Sequence, residues 1–465
     1  MVGLDIGTTS VKAVVVDGQG AIIASASSKP LSFRAPKPGW AVQSTSEVKE
    51  AVVECLSRLT KNMPKNAQVL AVCAAVQSGS LVVVDESGIA AADMTTWMDT
   101  RTSSIVESWV ADGTAAAVRE NSGWSVQPGL GLPQVVWLKV NEPGLHERSR
   151  FGSADDFVMS LLVGSWITNP SNAAGMQLLD GTTGRWSEDL CALAGVAPER
   201  LSELRDCGAM AGELTSDMAA ATGLVESLPV VVGGHDQTCT ALGLGVDRPG
   251  EALLAAGTAW VVTTVIDEAD TASVPDEMNV SFHVVEGLRT SSRYLGGLGA
   301  SMEWWLVEAG FVGDTDRYAL LDETLRRTTL SLDSPYFLGP GGEDATAGGS
   351  HPGAGTFSPT GASSDRGKFA LAIMEFAAFE VRTALRSMPR DHRPTALTLV
   401  GGASQAAGWS QLIASACAIR IEVVRPGSWP AVGAAVLAAQ QSGLMAEGSN
   451  GGSRAIRSHA RPIPD

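Results

Sequence analysis

The first residues of the chain that could do chemistry form a short polar segment inside an otherwise apolar stretch. Glycine lets backbone N–H groups approach a ligand closely, and threonine and serine add hydroxyl donors, so such a segment can cradle a phosphate. An aspartate beside it can direct a metal ion toward that phosphate. A polar β-turn uses the same residue types, so this segment alone leaves both interpretations open. Its members are Asp5, Gly7, Thr8, Thr9 and Ser10.

Two further glycine-rich turns follow apolar stretches later in the chain, in the sequences AAGTAW at 255–260 and VGGASQ at 400–405. One such turn is weak support for phosphate binding, but three of them, spread over both halves, favour a nucleotide site. The sequence contains no GxxxxGK(S/T) loop, no GxGxxG after a predicted strand, no HExxH and no GxSxG. A bound nucleotide is therefore expected on neither a Walker loop nor a Rossmann turn.

The composition indicates a globular protein, with 45% hydrophobic and 18% charged residues in a chain of 465. This length exceeds one ordinary core and favours two domains. The 33 Lys and Arg residues against 50 Asp and Glu give a net charge of −17. Such a charge repels nucleic-acid phosphates and anionic lipids, so we expect neither nucleic acid nor membrane as a partner. An anionic nucleotide then needs a local cradle and a cation.

The six cysteines are scattered along the chain without a CxxC pair. This pattern favours reduced core thiols over a disulfide framework or a zinc site. No basic-then-apolar leader precedes the first predicted strand, and no apolar run is long enough to span a bilayer. These features together predict a cytoplasmic protein.

Apolar, β-branched runs separated by the turns GTTS and DGQG predict three strands at the start of the chain, and a helix follows them. Two more strands are expected around a polar elbow formed by Gln77, Ser78 and Gly79. The first three strands are expected at Val2–Ile6, Val11–Asp17 and Ala21–Ser27, and the helix at Ser46–Leu59 with Ser46 as its cap.

A second strand–turn–strand pattern begins at Pro229 and loosely echoes the first, which suggests two halves built on one plan. Between these patterns, helical spacing dominates from about residue 99 to residue 228. We therefore predict a first domain over 1–228, a second domain over 229–440 and a flexible tail over 441–465.

At this point the chain resembles the FGGY carbohydrate kinases, a family within the superfamily of hexokinase, actin and the heat-shock chaperone ATPases. The resemblance is collinear over 1–440, and it implies an α/β fold of two ribonuclease-H-like (actin-like ATPase) domains with a central cleft. It also implies that ATP lies mainly on the second domain and the sugar mainly on the first. The similar stretches are GLDIGTTSVKAVVVD, PGWAVQ, TTWMDTR, GGHDQTCTALGLGV, GTAWVV and GGASQAAGWSQLIA.

The resemblance also implies roles for individual residues. Asp236 matches the catalytic base, although a carboxylate in a turn after two glycines has a plain structural interpretation as well. Asp5 and Asp236 match the residues that hold Mg²⁺, and Lys12 is equally consistent with a solvated strand residue. The residues expected to bind ATP are Thr8, Thr9, Ser10, Lys12, Gly257, Thr258, Gly401, Gly402 and Gln405.

The acceptor site is expected around the elbow at Gln77, where the xylulose kinases read Gly-Gln-Met-His-Gly and the glycerol kinases Asn-Gln-Arg-Glu. Ser78 and Gly79 match neither pattern, and the missing Arg-Glu pair argues against glycerol. The stretch 337–357 resembles a family loop but carries Asp344 where arginine is usual. The residues expected to bind the acceptor are Gln77, Ser78, Trp97, Asp99, His235, Asp236 and Gln237.

The family resemblance predicts an ATP- and Mg²⁺-dependent sugar kinase, with a ketopentose such as xylulose as the favoured acceptor. Two alternatives stay open at this stage. One is a kinase for a polyol, a sugar acid or a sugar-like signalling molecule, and the other is a non-phosphorylating, ATP-driven switch protein of the same superfamily. The expected partners are ATP and a small sugar, and the chain is expected to be a monomer or a homodimer.

Overall fold

The structure, a computed structural model, describes residues 1–311, 317–329, 334–340, 354–358, 365–445 and 456–462. The chain forms two compact units. Each unit is assembled from segments that are distant in sequence, so its boundaries do not follow from any one stretch of the chain. The first unit contains Met1–Asp247, Glu277–Thr290 and Ser428–Ser453, and the second contains Arg248–Asp276, Ser291–Gly427 and Arg454–Asp465.

The first 247 residues alternate strands and helices. Their strands are β1 (Val2–Ile6), β2 (Val11–Val16), β3 (Ile22–Ser27), β4 (Val42–Gln43), β5 (Val72–Val76), β6 (Val82–Val84), β7 (Met94–Thr95), β8 (Arg150–Gly152), β9 (Ile167–Thr168), β10 (Glu203–Leu204), β11 (Met210–Glu213) and β12 (Pro229–His235). Their helices are α1 (Thr45–Asn62), α2 (Ser103–Asp112), α3 (Thr114–Ser122), α4 (Gly131–Asn141), α5 (Pro143–Arg148), α6 (Ala154–Val163), α7 (Pro170–Ala173), α8 (Glu188–Ala194), α9 (Ser216–Thr222) and α10 (Asp236–Leu244).

The remaining elements complete both units. The strands are β13 (Ala252–Ala256), β14 (Trp260–Asp267), β15 (Asn279–Phe282), β16 (Leu288–Tyr294), β17 (Tyr336–Pro340), β18 (Gly355–Ser358), β19 (Ala396–Val400), β20 (Arg420–Val424) and β21 (Ile456–Ala460). The helices are α11 (Leu298–Glu308), α12 (Arg317–Arg327), α13 (Arg366–Ser387), α14 (Ala407–Cys417) and α15 (Trp429–Gln441).

The central sheet of the first unit has the strand order β11-β12-β5-β1-β2-β3. Strands β12, β5 and β1 run parallel, and Ile6, Val76 and His235 stand in register at their carboxyl ends. Because parallel strands end at the same edge of a sheet, the residues that follow these three positions lie side by side. This is the edge at which open α/β sheets bind their ligands.

Both faces of this sheet are covered, which explains why its strands are apolar along their whole length rather than alternating. On one face Val2 and Leu4 pack with Val52 and Leu56 of α1. On the other face Cys73 and its neighbours pack with the alanine-rich helix α15 and with α10. Asp5 is the neighbour of Leu4 in β1, and adjacent side chains of a strand lie on opposite faces of the sheet. The Asp5 side chain is therefore directed to the face that α10 and α15 cover.

Helix α15 approaches the sheet and α10 so closely that glycine is required at the contacts. A Cβ atom on Gly433 of α15 would stand 1.7 Å from the carbonyl oxygen of Cys239 in α10. A Cβ atom on Gly3 would stand 1.8 Å from the carbonyl oxygen of Ala431. These contacts fix the position of α10, whose first residue is Asp236.

The second unit repeats the plan of the first. In its sheet, β13 pairs with β14 antiparallel and with β19 parallel, and β19 pairs with β20 parallel. The first unit has the same arrangement of β1 with β2, β5 and β12. Apolar residues of α13 and α14, among them Ile373, Val381 and Ile413, pack with Leu254 and Leu399 of this sheet.

Two local predictions from the sequence need correction. Helix α1 begins at Thr45 with Ser44 as its cap, because the Ser44 hydroxyl accepts a hydrogen bond from the Glu47 amide, whereas the Ser46 hydroxyl only contacts that of Ser44. The prediction of a flexible tail is wrong for β21, which pairs antiparallel with β20 from Ile421↔Ala460 to Val424↔Ile456. Pairing of an otherwise open sheet edge orders these residues, and composition does not reveal it.

No helix in the described part of the chain is both long and apolar enough to cross a bilayer. All six cysteines are free thiols, and four of them are buried.

Replacing Gly433 by alanine is expected to destabilise the protein, because the new methyl group would collide with the main chain of α10. Overpacking of this kind typically costs about 1–3 kcal/mol, which would lower the thermal midpoint by several degrees. Thermal unfolding followed by circular dichroism measures the effect. Gly18→Ala is the matched control, since nothing lies within 4 Å of its added Cβ. Equal midpoints for the two variants would contradict the close α10–α15 contact.

Candidate active site

Three predicted site residues meet at the carboxyl edge of the first unit's sheet. Asp5 is the fourth residue of β1, Gln77 follows β5 directly, and Asp236 follows β12 directly. The backbone N–H of Gln77 also donates to the carbonyl oxygen of Ile6 at 3.0 Å, which ties the β5 elbow to the end of β1. The in-register strand ends therefore bring Asp5, Gln77 and Asp236 together, as the sequence predicts.

The carboxylates of Asp5 and Asp236 are close enough for their charges to interact. Burial and, to a smaller extent, the charge of Asp236 together raise the pKa of Asp5 to about 7, against the opposing effect of Lys12. Lys12 stands opposite Asp5 in the β1–β2 register, and its side chain is half-buried. Lys12 is thus a neighbour of the carboxylate pair rather than a fully solvated strand residue.

A divalent cation fits this arrangement, because it would offset the repulsion between Asp5 and Asp236. Within the described residues there is no group of three or more His, Cys, Asp or Glu side chains arranged to hold a metal. Mg²⁺ commonly uses only one or two carboxylates and completes its shell with water and phosphate oxygens. The pair therefore suits a hydrated magnesium ion that arrives with a phosphate-bearing ligand.

The turn after β1 is fixed by hydrogen bonds at each of its residues. The Gly7 amide donates to the Ser10 carbonyl at 3.3 Å, and the Leu31 amide donates to the Thr9 carbonyl at 2.8 Å. The side chain of Gln43 donates to the Thr8 carbonyl at 2.7 Å and accepts from the Gln77 amide nitrogen at 3.3 Å. Gln43 therefore links the predicted phosphate turn to the predicted acceptor elbow, a role that the sequence analysis missed.

The elbow itself is compact. Ser78 donates its hydroxyl to the Asn172 carbonyl at 3.0 Å, and Gly79 adopts a φ of +78°, which favours glycine. A Cβ atom at Gly79 would also stand 2.9 Å from Leu130. The Ser78 hydroxyl is thus already engaged, while the Gln77 Oε1 atom is buried without a partner in the described part of the chain.

Trp97 and Asp99, both predicted to bind the acceptor, occupy different environments. Trp97 is 39% exposed, and its indole nitrogen lies 3.5 Å from the Thr8 hydroxyl. Asp99 is fully buried and accepts hydrogen bonds from the Ala41 amide, the Arg101 guanidinium and the Gln134 side chain. Asp99 therefore holds the Trp97-bearing segment in place, and its own carboxylate has no surface for a ligand.

The segment after β12 carries the third set of predicted residues. His235 Nε2 lies 3.0 Å from Asp236 Oδ1, and both side chains are partly exposed. The Gln237 Oε1 atom is buried without a partner among the described residues, as are both amide atoms of Asn172 on α7. Asn172 was missed by the sequence analysis because the short helix α7 carries no recognisable motif. Its buried, unpartnered amide identifies it only in three dimensions.

In the second unit, a cavity of about 310 Å³ opens at the matching sheet edge. The turn after β13 and the turn after β19 both reach it, because Ala255 and Val400 are in register. Gly401 has a φ of +102°, and a Cβ there would stand 2.5 Å from the Ala256 carbonyl oxygen. The lining residues are Gly257, Thr258, Trp260, Gly299, Met302, Glu303, Tyr318, Gly402, Ala403 and Trp409.

Gly257, Thr258 and Gly402 lie together at this cavity, and the other lining residues are ones that the sequence analysis did not identify. Glu303 accepts from the Tyr318 hydroxyl at 2.8 Å and pairs with Arg317 at 3.0 Å, so its charge is compensated. The side chain of Gln405 and the loop residues 341–353, including Asp344, lie outside the described residues.

The first turn of α11 packs on the Gly257–Thr258 turn. The Ala300 amide donates to the Thr258 carbonyl at 3.1 Å, and a Cβ at Gly299 would stand 2.0 Å from the Gly257 carbonyl oxygen. An eleven-residue helix that begins at Leu298 therefore directs its positive end toward this turn. Such an end favours a negatively charged ligand group.

The chain is similar in sequence to known proteins. The family model for the N-terminal domain of the FGGY family of carbohydrate kinases matches residues 1–243, and the C-terminal domain model matches 298–442. A xylulose kinase of Bacillus subtilis is 26% identical over 465 residues, covering 95% of this chain and 88% of that protein. An autoinducer-2 kinase of Escherichia coli is 28% identical over 367 residues, covering 72% of this chain and 65% of that protein.

The fold is also similar to that of a solved structure. The crystal structure of a ligand-bound xylulose kinase from Lactobacillus acidophilus matches with a TM-score of 0.89 at 19% identity, covering 100% of this chain and 94% of that one. This similarity confirms the predicted α/β fold of two sheet-containing domains with the actin-like ATPase plan.

Asp5→Asn is expected to stabilise the metal-free protein at pH 8, because asparagine removes a carboxylate whose ionisation burial opposes. A pKa raised from 3.8 to about 7 means that the folded state loses stability relative to the unfolded state as pH rises from about 4 to 7. The variant lacks this loss, so its advantage should grow over that range and then level off above about pH 7. Thermal unfolding with EDTA between pH 5 and 8.5 measures it.

Glu50→Gln on the exposed face of α1 serves as the control for this titration, because its carboxylate is surrounded by solvent. Its midpoint should follow that of the unmodified protein at every pH. An Asp5→Asn advantage that does not change with pH, or that decreases above pH 7, would contradict the assignment of the buried charge.

Proposed function

Because this chain belongs to the FGGY family of carbohydrate kinases, we propose that it transfers the γ-phosphate of ATP to a hydroxyl group of a small ketose, with xylulose as the first candidate. ATP-dependent phosphorylation of a carbohydrate follows from the family. The identity of the acceptor and the role of each residue constitute the proposal.

Asp236 is proposed as the general base. Its position after β12, where its charge interacts with that of Asp5 and its side chain is 26% exposed, is the observation that carries the proposal. The acceptor hydroxyl gives its proton to this carboxylate while its oxygen forms a bond to the γ-phosphorus and the bond to the β-phosphate oxygen breaks. General-base assistance of this kind typically contributes about 10²–10⁴ in rate.

The nucleotide is proposed to bind through both predicted sets of turns. Adenosine is assigned to the cavity of the second unit, where Gly401 and Gly402 allow close approach of the base and ribose. Thr258 is assigned to the γ-phosphate, supported by the positive end of α11. Thr8, Thr9, Ser10 and Lys12 are assigned to the β- and γ-phosphates.

Mg²⁺ is proposed as the cofactor, held by Asp5 and Asp236 through water. When bound, it neutralises charge on the transferring phosphoryl group, which lowers the barrier chiefly by alignment and electrostatics. The raised pKa of Asp5 supports this role, because a cation would restore the ionised carboxylate at neutral pH.

The proposal of a ketose acceptor rests on the polar atoms that the first unit leaves unpartnered. Gln77, Gln237 and Asn172 each bury at least one polar atom without a hydrogen bond to the described residues. An unpaired buried polar group is costly, about 1–3 kcal/mol, so a hydroxyl-rich ligand reached by a small local adjustment would relieve it. The relatives named xylulose kinase favour a ketopentose among such ligands.

A second candidate acceptor is a linear, sugar-like signalling molecule. It is favoured by the autoinducer-2 kinase relative, whose identity to this chain is 28% over 367 residues. Both candidates carry neighbouring hydroxyls and leave the chemistry at Asp236 unchanged, so only the acceptor preference separates them.

A substrate panel tests the proposed function. Release of ADP, coupled to NADH oxidation, would be measured with ATP and Mg²⁺ against xylulose, ribulose, gluconate, glycerol and an autoinducer-2 precursor. We expect strong dependence on the acceptor and the highest kcat/KM with a ketopentose. ATP hydrolysis of equal rate with and without every acceptor would instead indicate an ATP-driven switch and contradict the proposal.

Asp236→Asn is expected to lower kcat by about 10²–10⁴, because the amide cannot accept the hydroxyl proton. The affinity for a non-hydrolysable ATP analogue, measured by isothermal titration calorimetry, should change little. Near-normal turnover in this variant would remove Asp236 from the mechanism.

Gly402→Val is expected to raise the KM for ATP about tenfold or more, since the side chain would enter the proposed adenosine cavity. No atom lies within 4 Å of a Cβ at this position, so the thermal midpoint should be unaffected. The matched control is Gly18→Val, whose Cβ is equally unobstructed but lies outside the cavity. An unchanged KM for ATP would show that the adenine ring binds outside this cavity.

A further inference from the structure

His235 makes a side-chain contact that neither the family resemblance nor the sequence explains. Its Nε2 atom lies 3.0 Å from Asp236 Oδ1, and the exposed fractions of the two side chains are 16% and 26%. A carboxylate at neutral pH is an acceptor only, so Nε2 carries the proton in this contact. One oxygen of Asp236 is therefore held, while the other remains available.

The main chain that carries His235 is fixed on both sides. Its amide donates to the Ser171 hydroxyl at 3.3 Å, and its carbonyl accepts from the Thr238 hydroxyl at 2.9 Å. The Ser171 and Thr238 hydroxyls also contact each other at 2.8 Å. The imidazole thus extends from an anchored backbone, which makes it a suitable support for a neighbouring side chain.

Asp236 needs such a support. Its carboxylate turns about two rotatable bonds, and the charge of Asp5 interacts with it unfavourably. Repulsion from one side favours rotamers that direct the carboxylate away from the sheet edge. A charge-assisted hydrogen bond from His235 opposes that rotation and selects one orientation.

We propose that His235 is a positioning residue, which holds Asp236 Oδ1 so that Oδ2 is presented to the acceptor hydroxyl. This inference rests on the proposed role of Asp236 as the base. It differs from the sequence-based expectation that His235 binds the acceptor directly. The effect of His235 on turnover passes through Asp236, and its effect on sugar binding is small.

Three variants at this position separate the possibilities. Glutamine places its side-chain nitrogen where Nε2 of histidine stands, whereas asparagine matches Nδ1 and leaves the contact unmade. We expect His235→Asn and His235→Ala to lower kcat about 10- to 100-fold, the range for a mispositioned catalytic group. His235→Gln should stay within about threefold of the unmodified enzyme, and the KM values for sugar and ATP should change little in all three variants.

Two results would overturn the inference. The first is an equal loss of kcat in the glutamine and asparagine variants with unchanged thermal midpoints, which would show that the donor at Nε2 is irrelevant. The second is a KM for the sugar that rises in every variant while kcat is retained, which would make His235 a direct ligand of the acceptor.

A measurement without turnover distinguishes failure of this inference from failure of the proposed function. The ¹⁵N chemical shifts of the His235 ring, assigned by comparison with the His235→Gln spectrum, report which nitrogen carries the proton. We expect protonated Nε2 in the unmodified protein and a changed ring spectrum in Asp236→Ala. With that result and no activity on any sugar, the contact stands and the kinase proposal fails, whereas an unchanged spectrum in Asp236→Ala refutes the contact itself.

Discussion

The shared register of β1, β5 and β12 is the constraint on which the first unit's site depends. Ile6, Val76 and His235 end their strands at the same level, so the next residues meet without any long loop. A register shift between Val231 and Gly234 precedes the last of these ends, and a Cβ at Gly233 would stand 1.7 Å from the Ala74 carbonyl oxygen. A bulge of this kind re-aims the following side chain, which here belongs to the segment that carries Asp236.

The same edge concentrates groups that oppose folding. A buried carboxylate at Asp5 and the unpartnered atoms of Gln77 and Asn172 each cost free energy while no ligand is present. Apolar packing on both faces of the sheet offsets that cost, through α1 on one side and α10 and α15 on the other. Unfavourable polar groups on a rigid, well-packed support are the usual condition of a preorganised binding site.

The sequence predicts local features of this protein well and long-range features poorly. The β1–β2–β3 strands, the elbow at Gln77 and the three glycine-rich turns follow from local pattern and turn chemistry, and the structure places each of them as expected. Burial of Asp99 depends on partners at Ala41, Arg101 and Gln134, which no short window reveals. The return of α15 to the first unit and the cavity residues Glu303 and Tyr318 are likewise products of tertiary packing.

The two units share one strand plan, but the residues at the carboxyl edges of their two sheets differ in charge. In the first unit Asp5 lies near the end of β1 and Asp236 follows β12, whereas in the second unit Gly257 follows β13 and Gly401 follows β19. A chain of net charge −17 repels a triphosphate, so an anionic ligand is expected where carboxylates are absent or compensated. Glu303, which lines the second unit's cavity, meets this condition because Arg317 pairs with it. Among the described residues, the second unit's cavity thus carries a compensated carboxylate, whereas the first unit carries the Asp5–Asp236 pair, beside which a phosphate needs a cation.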